Sequence, residues 1–362
     1  MQSTKFLKAI ESMGITCFAG VPDSLLKPFS DAIYRKHGLN TPAHRVCANE
    51  GGAVGLAAGH FLATGQPACV YMQNSGIGNA VNPIVSLLNE KVYGIPCLFV
   101  VGWRGEPGVK DEPQHAFQGE ITKSLLENIG VTCFGINSFA KAKNVLDNNG
   151  CAAIIVKAGE LEGENAKFVN KNSMTREEAL SCIMKKTTGT YVTTTGKTSR
   201  EWFEIRQRAD VELCDFLAVG SMGHAIMIAL GIKQAKPQET VLCLDGDGAA
   251  LMHLGSLRVV AASGVDGLVH VVFNNGAHES VGGMDIGGGA ANFAEIGKAL
   301  GYSNVFRVES IAQLENALQA VSKNERGVTL IEVMVAIGSR PDLGRPTQTP
   351  AQNRDALMEQ LV

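Results

Sequence analysis

What this chain lacks narrows it first. It has no basic excess: 32 lysines and arginines face 35 acidic residues, for a formal net charge of −3. No cationic surface is therefore expected to hold nucleic acid. No apolar run nears the roughly 20 residues a membrane-spanning helix needs, so no membrane partner is expected either. Nine cysteines are scattered singly, without a CxxC pair. That pattern reads as reduced core thiols of a cytoplasmic protein, not as a disulfide framework. Aromatics make up only 6% of the chain. Residues 1–14 read as an amphipathic helix and not a secretion signal, because Lys5, Lys8 and Glu11 interrupt any apolar core.

What is present is glycine, 41 of 362 residues, in a chain 45% hydrophobic and 19% charged. Such a composition suits a globular α/β protein with many tight strand-to-helix turns. The length suggests two or three domains. Short apolar runs alternate with helical patterns throughout, which predicts parallel sheet covered by helices on both faces. Strands are expected at residues 16–19, 45–48, 68–72, 97–102, 132–134 and 152–156, then at 190–194, 216–219, 240–244, 269–273, 304–307 and 328–334. Six strands followed by six suggest a duplicated architecture. Residues 159–173 are polar and charged, which fits a linker. Residues 340–350 carry three prolines and cannot form regular helix, so the tail from 339 to 362 is expected to act as a strap or lid.

The most informative segment is Gly246-Asp247-Gly248, which follows an apolar run; Asn274-Asn275 follows a second run after the 25 residues 249–273. That interval accommodates one helix and one returning strand, and so sets a carboxylate and an amide oxygen at the ends of neighbouring parallel strands. A hard cation holding a diphosphate needs such oxygens. Gly246 and Gly248 permit the tight turn, and Ala249 and Ala250 open a helix whose free amides suit a phosphate oxygen. Alone, Gly-Asp-Gly would be an ordinary turn with Asp247 capping a helix. The asparagine pair at this distance argues for more.

Thr195-Gly196-Lys197-Thr198-Ser199 also opens a helix after a strand. It fails as a nucleotide P-loop, since six residues (190–195) separate Gly189 from Gly196 where that motif needs four. A phosphate cradle of Thr195, Gly196 and Ser199 remains reasonable. Glu50, in Glu50-Gly51-Gly52-Ala53, heads a glycine- and alanine-rich helix with few polar neighbours, which should raise its pKa.

With these motifs the chain resembles the thiamine-diphosphate-dependent enzymes over nearly its full length. The resemblance implies two thiamine-diphosphate-binding domains: residues 1–158 for the aminopyrimidine and 174–338 for the diphosphate and Mg²⁺. It implies Asp247, Asn275 and the Ala277 carbonyl as the metal ligands. It implies Glu50 as the group that bonds and activates the aminopyrimidine ring. Met222, after Ser221, would wedge the cofactor into its bent shape while a loop carbonyl holds the amino group. A homodimer or larger assembly follows, with the site at the subunit interface.

Val21-Pro22-Asp23-Ser24, Gln73 to Asn79, Glu112-Pro113-Gln114-His115 and the tail Asp342 to Thr347 look like the phosphonopyruvate and sulfopyruvate decarboxylases. By that resemblance the substrate is a small 2-oxo acid with a tetrahedral anion, 3-phosphonopyruvate, converted to phosphonoacetaldehyde and CO₂ in phosphonate biosynthesis. Sulfopyruvate decarboxylation, or another thiamine-diphosphate-dependent decarboxylase or carboligase activity on a 2-oxo acid, are the alternatives. Asp23 and His115, the latter in the loop 103–118, would handle protons near the reacting carbons. Asp23 alternatively only caps the helix that follows. Arg104, Lys110, Arg200, Arg340 and Arg345 are the candidate anion partners. One departure bears on substrate more than cofactor: Gly282-Gly283-Met284-Asp285 and the glycines at 287–289 stand where those enzymes read Gly-Gly-Gln-Pro-Thr.

Overall fold

A computed structural model describes residues 1–212, 214–287, 289–323 and 326–362, with residue 280 by its backbone alone. Residue 288, in the middle of the glycine run, lies outside the described residues. The chain forms two units: Met1–Lys167 with Met284–Gly288, and Phe168–Gly283 with Gly289–Val362.

The first unit is built on β1 (Phe18–Gly20), β2 (His44–Val46), β3 (Ala68–Gln73), β4 (Cys97–Gly102), β5 (Val131–Gly135) and β6 (Cys151–Val156). They pair in parallel in the order β2-β1-β3-β4-β6-β5. Successive residues of β3 face opposite layers: Val70 and Met72 join one apolar cluster, Cys69 and Tyr71 another. Helices therefore cover both faces, which explains why these strands are continuous apolar runs without alternation.

The second unit carries β7 (Thr190–Thr193), β8 (Phe216–Leu217), β9 (Val241–Gly246), β10 (Leu268–Asn274) and β11 (Ala277–His278). After β12 (Met284–Asp285), whose residues group with the first unit, come β13 (Asn304–Val308) and β14 (Val328–Met334). Its sheet runs β13-β14-β10-β9-β7-β8, again parallel. Numbered by their own sequence order, the six strands of each sheet stand in the same spatial order, 2-1-3-4-6-5. All twelve expected strands are present, with ends displaced by at most two residues.

The tail departs in part from its expected form. Residues 340–349 lack helix, but Pro350–Leu361 is one, because Pro350 sits at the first helical position, where a missing N–H costs nothing. Thr349 and Gln352 close a capping box. Asn353 accepts from the Leu217 N–H at 3.0 Å and donates to the Asp215 carbonyl at 2.7 Å, which covers the open edge of the sheet at β8. Among the described residues no helix is long and apolar enough to cross a membrane.

Candidate active site

In a 2-1-3-4 sheet the connections leave the first strand in opposite directions, and a crevice opens where the loops after strands one and three diverge. In the second unit those loops are Thr195 to Ser199 after β7 and Gly246-Asp247-Gly248 after β9. Gly196 has φ +98° and ample space around a would-be Cβ, so the backbone there is open to a ligand. No side chain caps the 12-residue helix Lys197–Arg208 that follows. Ser199 Oγ donates to the Gly196 carbonyl at 3.0 Å, and Thr195 Oγ1 donates to the Val219 carbonyl at 2.8 Å. The latter bond ties this loop to Val219, two residues before Ser221. Ser221 itself takes a left-handed φ of +56°, a strained choice for serine.

Asp247 is buried and accepts three backbone N–H groups: Gly248 at 2.7 Å on Oδ1, Asn275 at 3.0 Å and Gly276 at 2.7 Å on Oδ2. Burial pushes its carboxyl up to about 6 despite those amides. It is a carboxylate short of positive charge. Asn275 Oδ1 accepts the Ala277 N–H at 2.9 Å and its Nδ2 donates to Glu279 at 2.9 Å. A carboxylate offers about four lone-pair positions and an amide oxygen two. By these bonds each side chain thus keeps one acceptor position, and the Ala277 carbonyl follows Asn275 by two residues. All three donors are hard oxygens, the set a magnesium ion takes, so the residues fit the ion that the motif implies.

Sequence reasoning missed the ion network behind this loop. Glu279 meets Arg176 at 3.0 Å and Lys197 at 3.1 Å, and Arg176 reaches Glu201 at 2.7 Å. Burial alone would raise the Glu279 pKa, but Arg176 and Lys197 together hold it below the usual range. Asn170, in the expected linker, donates to the carbonyls of Asn275 and Val335 at 3.0 and 2.9 Å.

In the first unit the same crevice lies between the loops after β1 and β3. Asp23, 1% exposed, accepts from the Leu25 and Leu26 N–H groups on Oδ2 and from Gln73 Nε2 at 2.6 Å on Oδ1. It caps the following turn and joins the loop after β1 to the end of β3. Burial raises its pKa, more than Gln73 and the amides lower it. Glu50, 4% exposed, is the first residue of the helix Glu50–Thr64; Asn49 caps that helix by accepting the Gly52 N–H at 2.8 Å. Its Oε2 accepts from Asn79 at 2.8 Å, and burial raises its pKa.

Gly76 and Gly102 make room for these acids. An added Cβ would stand 2.2 Å from Glu50 Oε1 in the first case and 2.2 Å from Asp23 Oδ2 in the second. His115 does not lie in a loop, contrary to the sequence expectation. Pro113 starts the helix Pro113–Asn128 and puts His115 in its first turn, half-buried, its pKa lowered by burial and by Arg104. The loop before it is pinned by Arg104, which grips Asp111 through Nε at 2.8 Å and through Nη2, and reaches Ser24 Oγ at 3.2 Å. Arg104 in turn holds the Asp111 carboxyl well below the usual range.

Comparison with known proteins identifies the family of the chain. The model of the thiamine pyrophosphate enzyme N-terminal TPP binding domain matches residues 3–126, and that of the C-terminal TPP binding domain matches residues 194–333. The chain belongs to the thiamine pyrophosphate enzymes. It is 34% identical to the phosphonopyruvate decarboxylase of Streptomyces viridochromogenes, over 95% of this chain and 90% of that one. It is 32% identical to the phosphonopyruvate decarboxylase of Streptomyces hygroscopicus, over 97% and 91%. It is 26% identical to the sulfopyruvate decarboxylase of Methanosarcina acetivorans, over 78% and 77%.

As a thiamine pyrophosphate enzyme of this kind the chain is a carboxy-lyase that uses thiamine diphosphate on a 2-oxo acid. The N-terminal match lies within the first unit, and the C-terminal match within the second apart from Met284–Gly288.

Proposed function

We propose that this thiamine pyrophosphate enzyme decarboxylates 3-phosphonopyruvate, taking up one proton and releasing phosphonoacetaldehyde and CO₂, as a step of phosphonate biosynthesis. The observation that carries the reading is full-length likeness, at 34 and 32% identity, to two phosphonopyruvate decarboxylases. Thiamine diphosphate, when bound, supplies the nucleophilic carbon and the sink for the electrons that CO₂ leaves behind.

The chain's own residues do the rest. Asp247, Asn275 and the Ala277 carbonyl hold Mg²⁺. Gly246, Gly248, Ala249, Ala250, Thr195, Gly196 and Ser199 would hold the diphosphate through their backbone amides. Met222 would support the cofactor, and Ser221 the loop that carries Met222. Glu50, kept from ready ionisation by burial, holds a proton for the aminopyrimidine ring. Asp23 and His115 deliver the proton that replaces CO₂ on the substrate. Arg104 fits the phosphonate, because its planar guanidinium shares their sheet end and contacts Ser24. Arg340 is paired with Glu177 and Asp342 at 3.0 Å each, as Arg104 is with Asp111 at 2.8 Å.

We place the protein in the cytoplasm, where its nine unpaired cysteines stay reduced. We also propose a homodimer or larger assembly; Leu62 and Tyr93, 70 and 69% exposed, offer apolar surface to a second copy. The test is CO₂ release by purified protein with thiamine diphosphate and Mg²⁺, offered phosphonopyruvate, sulfopyruvate and pyruvate in parallel. Preference for phosphonopyruvate is expected. Preference for sulfopyruvate would keep the mechanism and overturn the substrate.

A further inference from the structure

The Glu279 side chain, 8% exposed, is the hub of the second unit's polar interior. It accepts from Asn275 Nδ2 at 2.9 Å, from Arg176 Nη1 and Nη2 at 3.0 and 3.2 Å, and from Lys197 Nζ at 3.1 Å. Arg176 is itself oriented by Glu201, through Nε at 2.7 Å and Nη2 at 2.9 Å. An asparagine amide can present either its oxygen or its nitrogen to a neighbour, and the two ends fill almost the same space. A carboxylate can only accept. Facing Glu279, Asn275 must therefore turn its NH₂ inward, which swings Oδ1 to the opposite side, toward the Ala277 N–H.

We propose that Glu279 is a positioning residue: braced by Arg176 and Lys197, it fixes the Asn275 amide so that Oδ1 faces the bound cation. Lys197 is the first residue of the helix that follows the Thr195-Gly196 loop. The same carboxylate thus connects the cation ligand to the loop assigned to the diphosphate. The inference rests on the Mg²⁺ and thiamine diphosphate reading above. It adds a reason why the ligand oxygen is presented at all. Partners that orient metal ligands typically change metal affinity about 10–100-fold when removed.

The experiment is calorimetric titration of the full-length protein with thiamine diphosphate across a Mg²⁺ series, which needs no turnover. Glu279→Gln offers Asn275 a donor as readily as an acceptor, so its orientation is no longer imposed. The expected result is a rise of about 10-fold or more in the Mg²⁺ concentration for half-maximal binding. Asn275→Asp alone sets two carboxylates against each other and should weaken binding similarly. The double variant Asn275→Asp, Glu279→Gln reverses the donor and acceptor of the pair, with one Asp oxygen accepting from Gln and the other facing the cation. It should bind better than either single variant.

Additive defects in the double variant, or unchanged Mg²⁺ dependence in Glu279→Gln, would overturn the positioning role while leaving the cofactor reading intact. Wild-type protein that binds no thiamine diphosphate would overturn both.

Discussion

Gly76→Ala is the sharpest test of the first unit's geometry. Gly76 has φ −76° and ψ −12°, a conformation alanine adopts freely, so the backbone is not at issue. The new methyl would lie 2.2, 2.5 and 2.6 Å from Oε1, Cδ and Cγ of Glu50. Ordinary non-bonded contact begins near ~3.5 Å, so the carboxyl must retreat by roughly 1 Å. A retreat of that size disturbs its 2.8 Å bond from Asn79. Misplacement of a catalytic group by about 1 Å costs roughly 10²-fold in rate, or about 2.7 kcal/mol of barrier.

Gly78→Ala is the matched control. It lies in the next helix, Ile77–Pro83, and a Cβ there meets nothing within 4 Å. That change should leave turnover alone and stabilise the helix by about 0.5–1 kcal/mol. The assay is CO₂ release at saturating thiamine diphosphate and Mg²⁺, with thermal melts to show that both variants fold. Gly76→Ala turning over within twofold of wild type would refute the role given to the Glu50 position. Equal impairment of both variants would refute the steric account.

Three further outcomes are expected. Arg104→Lys keeps the charge but loses the planar fork, so KM for phosphonopyruvate should rise about 10–100-fold while that for pyruvate stays level; equal effects on both would remove Arg104 from the phosphonate. Asn353→Ala leaves the buried Leu217 N–H and Asp215 carbonyl without their partner, which should cost about 1–3 kcal/mol in urea unfolding with kcat unchanged. Asp215 is pushed up to about 6 by burial, which outweighs Arg206 and Trp202. A carboxyl raised on folding favours the folded state below its unfolded pKa, and that contribution is lost as pH climbs to about 6. The stability gap between wild type and Asp215→Asn should therefore shift against wild type between pH 4 and 6, then hold constant; a gap independent of pH would refute it.

Local pattern made the strands and the meeting of Asp247 with Asn275 legible, because burial on both faces writes a continuous apolar run and the two residues stand at the ends of neighbouring strands. The capping box Thr175 to Glu178 and Pro113 at a first helical position were equally local signals for where helices begin. The Pro113 signal lay unread, which is why His115 was expected in a loop. What stayed hidden is contact between distant residues. Arg176 and Glu279 are 103 positions apart, and each alone reads as an ordinary surface charge. Gly76 and Gly102 carry no sign in the chain of the carboxyl groups that rest on them.

The shared strand order sharpens what each unit contributes. Both sheets open a crevice at the same topological position, between the loops after their first and third strands. In the first unit those loops bring Asp23 and Gln73, and Glu50 rests on Gly76 just beyond. The crevice is lined by acids whose pKa burial raises, a setting for holding and releasing protons. In the second unit the equivalent loops bring Gly196 and the uncapped helix behind it, together with Asp247 and its amide-rich turn. That end of the sheet carries N–H groups that suit an anion and spare oxygen lone pairs that suit a cation. One architecture thus serves two chemistries, and side chains at the strand ends decide which. A unit of this topology with neither buried acids nor an open amide loop at that point would keep the sheet and lose the site.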